Sequence, residues 1–244
     1  MLTDVLTIAW KESKEFVHGS SRAGGLARLV FPVVLAGVLM PWRAGRGYVT
    51  GGFALISLLW ILPMVAVSLT VDAIAGERER HTLESLLATR LSDQAILFGK
   101  LTASVAYAWG MVIASLVLGL LTVNLRRPGG PLLLFSPAYA AALLVTSLLG
   151  AVFVCGVAVL VSVRAPTVRQ AAQTFAYGST ALIFGTLFLA QAIPDSWLER
   201  LLIVLAGGDP TRGALLALGA FAMVDAVVLA AARRLFRRAR LILD

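Results

Sequence analysis

Charged residues are scarce in this 244-residue chain: Asp, Glu, Lys and Arg make up 14% of it, whereas hydrophobic residues make up 59%. A soluble domain usually devotes about a quarter of its residues to charge. The composition therefore excludes an ordinary water-soluble globule. The charges occur in short clusters between long uncharged runs, so no stretch is left for a separate soluble domain. We expect a single membrane domain over residues 1–244.

Residues that carry catalysis or bind metals are also scarce. Cys155 has no partner for an internal disulfide, and the two histidines, His18 and His81, cannot build a His-rich metal site. A hydrolase would need a nucleophile with a base, or a metal cluster, and no Gly-x-Ser-x-Gly or His-Glu-x-x-His motif is present. We predict a protein that is not an enzyme and binds no metal.

The net charge of +8 does not indicate nucleic acid. Nucleic-acid binding needs basic residues gathered on one water-facing surface, and here they lie between apolar runs. Membrane topology explains the excess better, because Lys and Arg accumulate in cytoplasmic loops. With both termini inside, 15 of the 21 basic residues fall on the cytoplasmic side. We expect a multi-pass protein of the cytoplasmic membrane.

Long uncharged runs predict an all-α protein with six membrane spans, since a crossing helix needs about 20 mostly apolar residues. The first predicted span is the shortest, because Arg28 and Arg43 limit its uncharged part. The predicted spans are 26–42, 48–72, 96–124, 138–163, 169–193 and 213–232.

Two further helices are predicted outside the spans. Residues 1–19 combine an apolar stripe that includes Val5 and Leu6 with a charged face, as in a helix lying in the headgroup layer. Packing on a soluble partner is the alternative. Within residues 195–212 the uncharged run, 201–208, has only eight residues. It is too short to cross and too apolar for an open loop, so we predict a short outer-face helix before the sixth span.

The link between the second and third spans contains a leucine stripe among charges. Thr82 can cap a short helix there, and Ser92 can cap the helix that leads into the third span. The stripe is too small to stabilise a domain, but it fits a groove on another protein. A solvated loop whose leucines rest on the membrane is the alternative.

From the end of the second span to the start of the third, the chain contains Glu77, Arg78, Glu79, Thr82, Leu83, Glu84, Leu86 and Leu87, followed by Ser92, Gly99 and Lys100. This run resembles the signature of type-2 permeases of ATP-binding cassette transporters. The layout, with an interfacial helix followed by six spans, is similar as well. The resemblance implies that residues 77–90 are a coupling segment that docks into a separate nucleotide-binding ATPase subunit.

The chain itself lacks a nucleotide site. The Gly99-Lys100 pair would belong to a phosphate-binding loop only with an earlier glycine and a following Ser or Thr, and Gln94 and Leu101 occupy those positions. We therefore expect ATP and Mg²⁺ on the partner subunit, and Lys100 among the lipid headgroups.

Polar residues inside the spans are candidates for a translocation path. Gln173, Tyr177 and Thr180 make the start of the fifth span polar, and the resemblance implies that this span lines a path between two permease copies, identical or paralogous. Asp225 is the one acid placed well inside a span. It either faces such a path or lies near the inner leaflet, reached by a nearby arginine.

The function implied by the resemblance is a permease subunit, of the exporter kind, that works by ATP-driven alternating access. An ATP-independent carrier, channel or membrane assembly factor is the alternative. It would share the six spans. The substrate is not specified by apolar spans.

Overall fold

The computed structural model of the chain describes residues 2–19, 30–80, 91–192 and 210–236. Every regular element within these ranges is a helix, which confirms the predicted all-α class. In chain order the helices are α1 (Leu2–Gly19), α2 (Val30–Ala44), α3 (Arg46–Thr50), α4 (Phe53–Glu79), α5 (Asp93–Leu125), α6 (Pro137–Ser162), α7 (Val168–Ala192) and α8 (Pro210–Leu235).

Four helices, α4, α5, α6 and α8, are long and apolar enough to cross a membrane. They correspond to the predicted second, third, fourth and sixth spans. Helix α7 has 25 residues, and its crossing stays a prediction. The described part of α2 extends about 22 Å, less than a hydrocarbon core of about 30 Å. The predicted first span also includes 26–29, which lie outside the described residues.

The helix of the second predicted span, 48–72, begins at Phe53 and ends at Glu79. Gly52 has a φ of 77° and separates α3 from α4, since glycine adopts this left-handed conformation without strain. Beyond residue 72 the helix does not end. It passes through one π-helical stretch, Asp72–Gly76, and continues to Glu79. The predicted coupling segment therefore begins within α4.

Helices α5 and α6 form the centre of the bundle. Helix α5 packs on α1, α2, α4 and α6, and α6 also packs on α7 and α8. Glycines lie where these helices approach most closely: a Cβ on Gly150 would lie 2.8 Å from Leu62, and one on Gly156 would lie 2.7 Å from Val228. Small residues of this kind allow close packing of membrane helices.

Helix α1 packs along the first turns of α5. A Cβ on Gly99 would lie 2.6 Å from the Cβ of Ile8, so only glycine permits this contact. The packed face includes Ile8 and Glu12, both nearly fully buried, while Leu6 and Trp10 are exposed. The packed face coincides only in part with the predicted apolar stripe, since Val5 packs against the core whereas Leu6 does not. Leu6 and Trp10 remain available for the predicted contact with lipid.

The predicted outer-face helix lies outside the described residues, except for 210–212. Those three residues begin α8.

Candidate functional site

The candidate site is the end of α4, where the predicted coupling segment begins. Its four charged residues differ in burial: Glu77 is buried, Arg78 is half-buried, and Glu79 and Arg80 are exposed. The helix therefore presents some of these charges to neighbouring elements and others to the surface.

Glu77 points into the bundle and contacts Lys100. The Lys100 Nζ lies 2.8 Å from Oε1 of Glu77 and 2.6 Å from Oε1 of Glu12. It also donates a 2.9 Å hydrogen bond to the carbonyl of Ala73 in the π-helical stretch. We call these four residues the Lys100 cluster. Lys100 is 2% exposed, so the expectation that it lies among the headgroups is wrong.

The burial of Lys100 has a physical reason. A buried ammonium group is tolerated only where charge partners and hydrogen bonds replace its water shell. Two carboxylates and one carbonyl replace that shell here. Because these acceptors belong to α1 and α4, the lysine joins three helices.

Arg78 and Glu79 contact the link that precedes α7. The Nη1 of Arg78 donates to the carbonyl of Ala165 at 3.4 Å, and the backbone N–H of Val168 donates to Oε2 of Glu79 at 3.2 Å. Val168 is the first residue of α7, where an acidic side chain interacts favourably with the helix dipole. The end of α4 is thereby fastened to the start of α7.

Asp72 and Arg80 form an ion pair of 2.7 Å on the surface of the same stretch. Gly76 lies between them, and a Cβ there would approach the Asp72 carboxylate to 2.7 Å. Both side chains are more than half exposed. Exposed pairs contribute little stability, roughly 0–1 kcal/mol. This pair shapes the helix end without joining it to a neighbour.

The remaining docking residues, Thr82, Leu83, Glu84, Leu86 and Leu87, lie outside the described residues. The chain is described again from Leu91. There the predicted cap is confirmed, because Ser92 Oγ accepts a 3.2 Å hydrogen bond from Ala95 N–H at the start of α5.

The predicted path residues of α7 lie together on one face. Gln173, Tyr177 and Thr180 follow helical spacing and are all exposed, with Tyr177 at 72%. The opposite face of α7, with Ala171 and Phe175, is buried. We call Gln170, Gln173, Tyr177 and Thr180 the α7 polar stripe.

Asp225 is not part of that exposed surface. It is 4% exposed and lies on the side of α8 that packs on α6, near the contact between Phe221 and Phe153. Within the described ranges, neither carboxylate oxygen has a hydrogen-bond partner. Asp225 is thus buried, whereas the residues of the α7 polar stripe are exposed.

Glu12 is not among the site residues predicted from the sequence, and Lys100 lies inside the bundle rather than at the predicted position. One available signal was the position of Glu12, which follows Ile8 by one helical turn and thus shares its face. No local pattern shows that Lys100 and Glu12, 88 positions apart in the chain, form a pair. In the parts of the chain that the structure describes, His, Cys, Asp and Glu nowhere form a group of three that could hold a metal ion.

An α-helical bundle with four helices able to cross a membrane, and a charged segment rooted in one of them, defines an integral membrane protein. A family model described as ABC-2 family transporter protein matches residues 52–204. The matched region covers more than half of the chain and runs from α4 to beyond α7. The chain therefore belongs to the ABC-2 family of transporter proteins, which confirms the resemblance found in the sequence. In a comparison with curated proteins, no match is found.

Proposed function

We propose that the chain is the permease subunit of an ATP-binding cassette exporter. It moves its substrate by alternating access, driven by a separate nucleotide-binding ATPase subunit. ATP and Mg²⁺ bind to that subunit, and this chain performs no hydrolysis. Family membership supports the transporter class. The partner rests on the sequence of the predicted coupling segment, residues 77–90. The direction rests on the resemblance to type-2 permeases.

The observation that carries the proposal is the continuity of α4 into that segment. One helix runs from Phe53 to Glu79, so the first docking residues are a rigid extension of a membrane span. ATP-driven closure of a soluble subunit can move membrane helices only through a contact that transmits force. The bonds of Arg78 and Glu79 to residues 165–168 give the segment a second attachment.

The second proposed partner is another permease copy, identical or paralogous. The α7 polar stripe is exposed on the single chain, and polar side chains exposed to hydrocarbon are costly. A second copy facing the stripe would enclose a polar path that contains Gln173, Tyr177 and Thr180. The excess of basic residues at this end of the bundle supports cytoplasmic termini and a cytoplasmic-membrane location.

Co-purification with the candidate ATPase tests the docking role. The candidate is an ATPase with a Walker A motif, sought among the genes that neighbour the permease gene. The permease is solubilised in mild detergent. Replacing Leu83 and Leu87 together with Asp should release the ATPase, because an apolar groove cannot accommodate two carboxylates without a large desolvation cost. The permease itself should remain in the membrane fraction.

The matched control makes the same change at Leu132 and Leu134. These leucines are 78% and 68% exposed and lie beyond the opposite end of α5. The control variant should retain the ATPase. Retention of the ATPase by the Leu83/Leu87 variant would count against docking through this segment. Transport by the purified chain without nucleotide would favour the ATP-independent carrier.

A further inference from the structure

Lys100 is placed to do more than neutralise Glu77. Its three contacts come from two separate elements: Glu12 belongs to α1, whereas Ala73 and Glu77 belong to the end of α4. Lys100 itself lies in the third turn of α5. The ammonium group is therefore the point at which the N-terminal helix meets the root of the coupling segment.

The steric contact beside it has the same effect. Gly99 lets Ile8 approach α5 so closely that any larger residue would displace α1. The backbone carbonyl of Val5 lies on the same side, 3.1 Å from where a Cβ on Gly99 would be. Close packing resists sliding of α1 along α5, and the ion pair fixes which turn of α1 faces Lys100.

The neighbouring Asp72–Arg80 ion pair differs from the Lys100 cluster in its exposure and in the elements that it joins. That pair is exposed and joins Asp72 of α4 to Arg80, the residue directly after the end of α4. It cannot transmit a displacement from α4 to another element. The Lys100 cluster is buried and crosses three elements, so a displacement of Glu77 is resisted by α1 as well as α5.

We infer that Lys100 is a positioning residue that fixes α1 to the root of the coupling segment, so that an ATPase subunit pressing on the segment moves α1 with it. This inference rests on the proposed function. The exposed Leu6 and Trp10 of α1 would then be carried along the membrane surface during each ATP cycle.

The test is a distance measurement in the complete permease–ATPase complex in lipid nanodiscs. Spin labels are attached to cysteines at Thr7, on the exposed side of α1, and at Arg80, the last described residue before the segment. Cys155, which is buried, is replaced by alanine so that only the two introduced sites carry label. The distance between the two labels is measured by pulsed electron paramagnetic resonance, first without nucleotide and then with ATP and vanadate.

With Lys100 present, the Thr7–Arg80 distance should be the same in both nucleotide states, because the two sites move as one body. In the Lys100→Met variant, the distribution should broaden and its mean should change when ATP is trapped. Glu12→Gln should have the same effect more weakly, and it provides the test if Lys100→Met fails to fold. Arg126→Met, an exposed cation at the far end of α5, should leave the wild-type distribution unchanged.

Kinetics of the same complexes distinguish positioning from folding. The kcat for ATP hydrolysis in the Glu12→Gln complex should fall several-fold, while KM for ATP stays unchanged, because ATP binds to the other subunit. A wild-type distance that changes with nucleotide, or a Lys100→Met distribution like the wild type, would overturn the inference. A complex without bound ATPase would overturn the proposed function and the inference with it.

Discussion

The Lys100 cluster and the α7 polar stripe are both polar regions in an apolar bundle, yet their surroundings differ. In the cluster, the ammonium group of Lys100 is enclosed by two carboxylates and a carbonyl of the same chain. In the stripe, Gln173, Tyr177 and Thr180 are exposed. The contacts of Lys100 are all made within one chain, whereas the stripe lies open on its surface.

This difference separates two uses of polar residues in a membrane protein. A polar group that finds its partners within the chain fixes the arrangement of helices, because breaking it exposes a buried charge. A polar group left on a membrane-facing helix needs a partner from elsewhere or an aqueous cavity. Loss of the first should therefore reduce stability, and loss of the second should reduce association or transport.

The largest loss of stability is expected from Lys100→Met. The change leaves Glu12 and Glu77 without their common cation, and breaking a buried pair on one side costs about 3–5 kcal/mol. Thermal unfolding in detergent, followed by tryptophan fluorescence, should show a large drop in Tm. Arg80→Met is the control, since its exposed pair contributes at most about 1 kcal/mol. Equal drops in both variants would mean that burial does not distinguish the two pairs.

A smaller loss is expected from Gly99→Val. The added methyl groups would collide with Ile8, and overpacking of this kind costs about 1–3 kcal/mol. Helix α1 should separate from α5, which limited proteolysis after Lys11 or Lys14 would detect. Gly110→Val is the matched control on the same helix, because no atom lies within 4 Å of its added Cβ. Rapid cleavage of the control variant would contradict this explanation.

Removing the carboxylate of Asp225 should raise the stability by an amount similar to the loss expected for Gly99→Val. Its carboxylate is buried without a hydrogen-bond partner in the described ranges, and such a group costs about 1–3 kcal/mol. Asp225→Val should therefore raise Tm, whereas Asp225→Glu, which keeps the carboxylate, should not. A lower Tm for the valine variant would show that the carboxylate is satisfied in the assembled protein. Transport by the valine variant would then report whether Asp225 belongs to the path.

The smallest change in stability is expected at the stripe. Tyr177 is 72% exposed, so Tyr177→Ala should change the unfolding free energy of the single chain by no more than about 0.5 kcal/mol. Cross-linking between permease copies should nevertheless decrease if the stripe faces a second copy. Phe175→Ala, on the buried face of α7, should lower Tm instead. Unchanged cross-linking in the Tyr177 variant would place the dimer contact elsewhere.

Local patterns in the sequence predicted much of the helical framework. The ends of α6 and the start of α7 lie within one residue of the predicted limits, and Ser92 caps α5 as expected. These features depend on neighbours a few positions apart, such as an uncharged run or a side chain that reaches the next turn. The continuation of α4 through Asp72–Gly76 was missed, because charged residues after a span are equally compatible with a loop.

By itself, the sequence determined that this is an all-helical membrane protein of the ABC-2 family with a charged segment after its second predicted span. Composition and short motifs are sufficient for that, since they reflect the solvent and the period of the helix. Only the tertiary structure decided that Lys100 is enclosed rather than at the headgroups, and that Glu12 reaches it from 88 positions away. A contact between distant positions depends on how whole helices pack, and no local pattern records that.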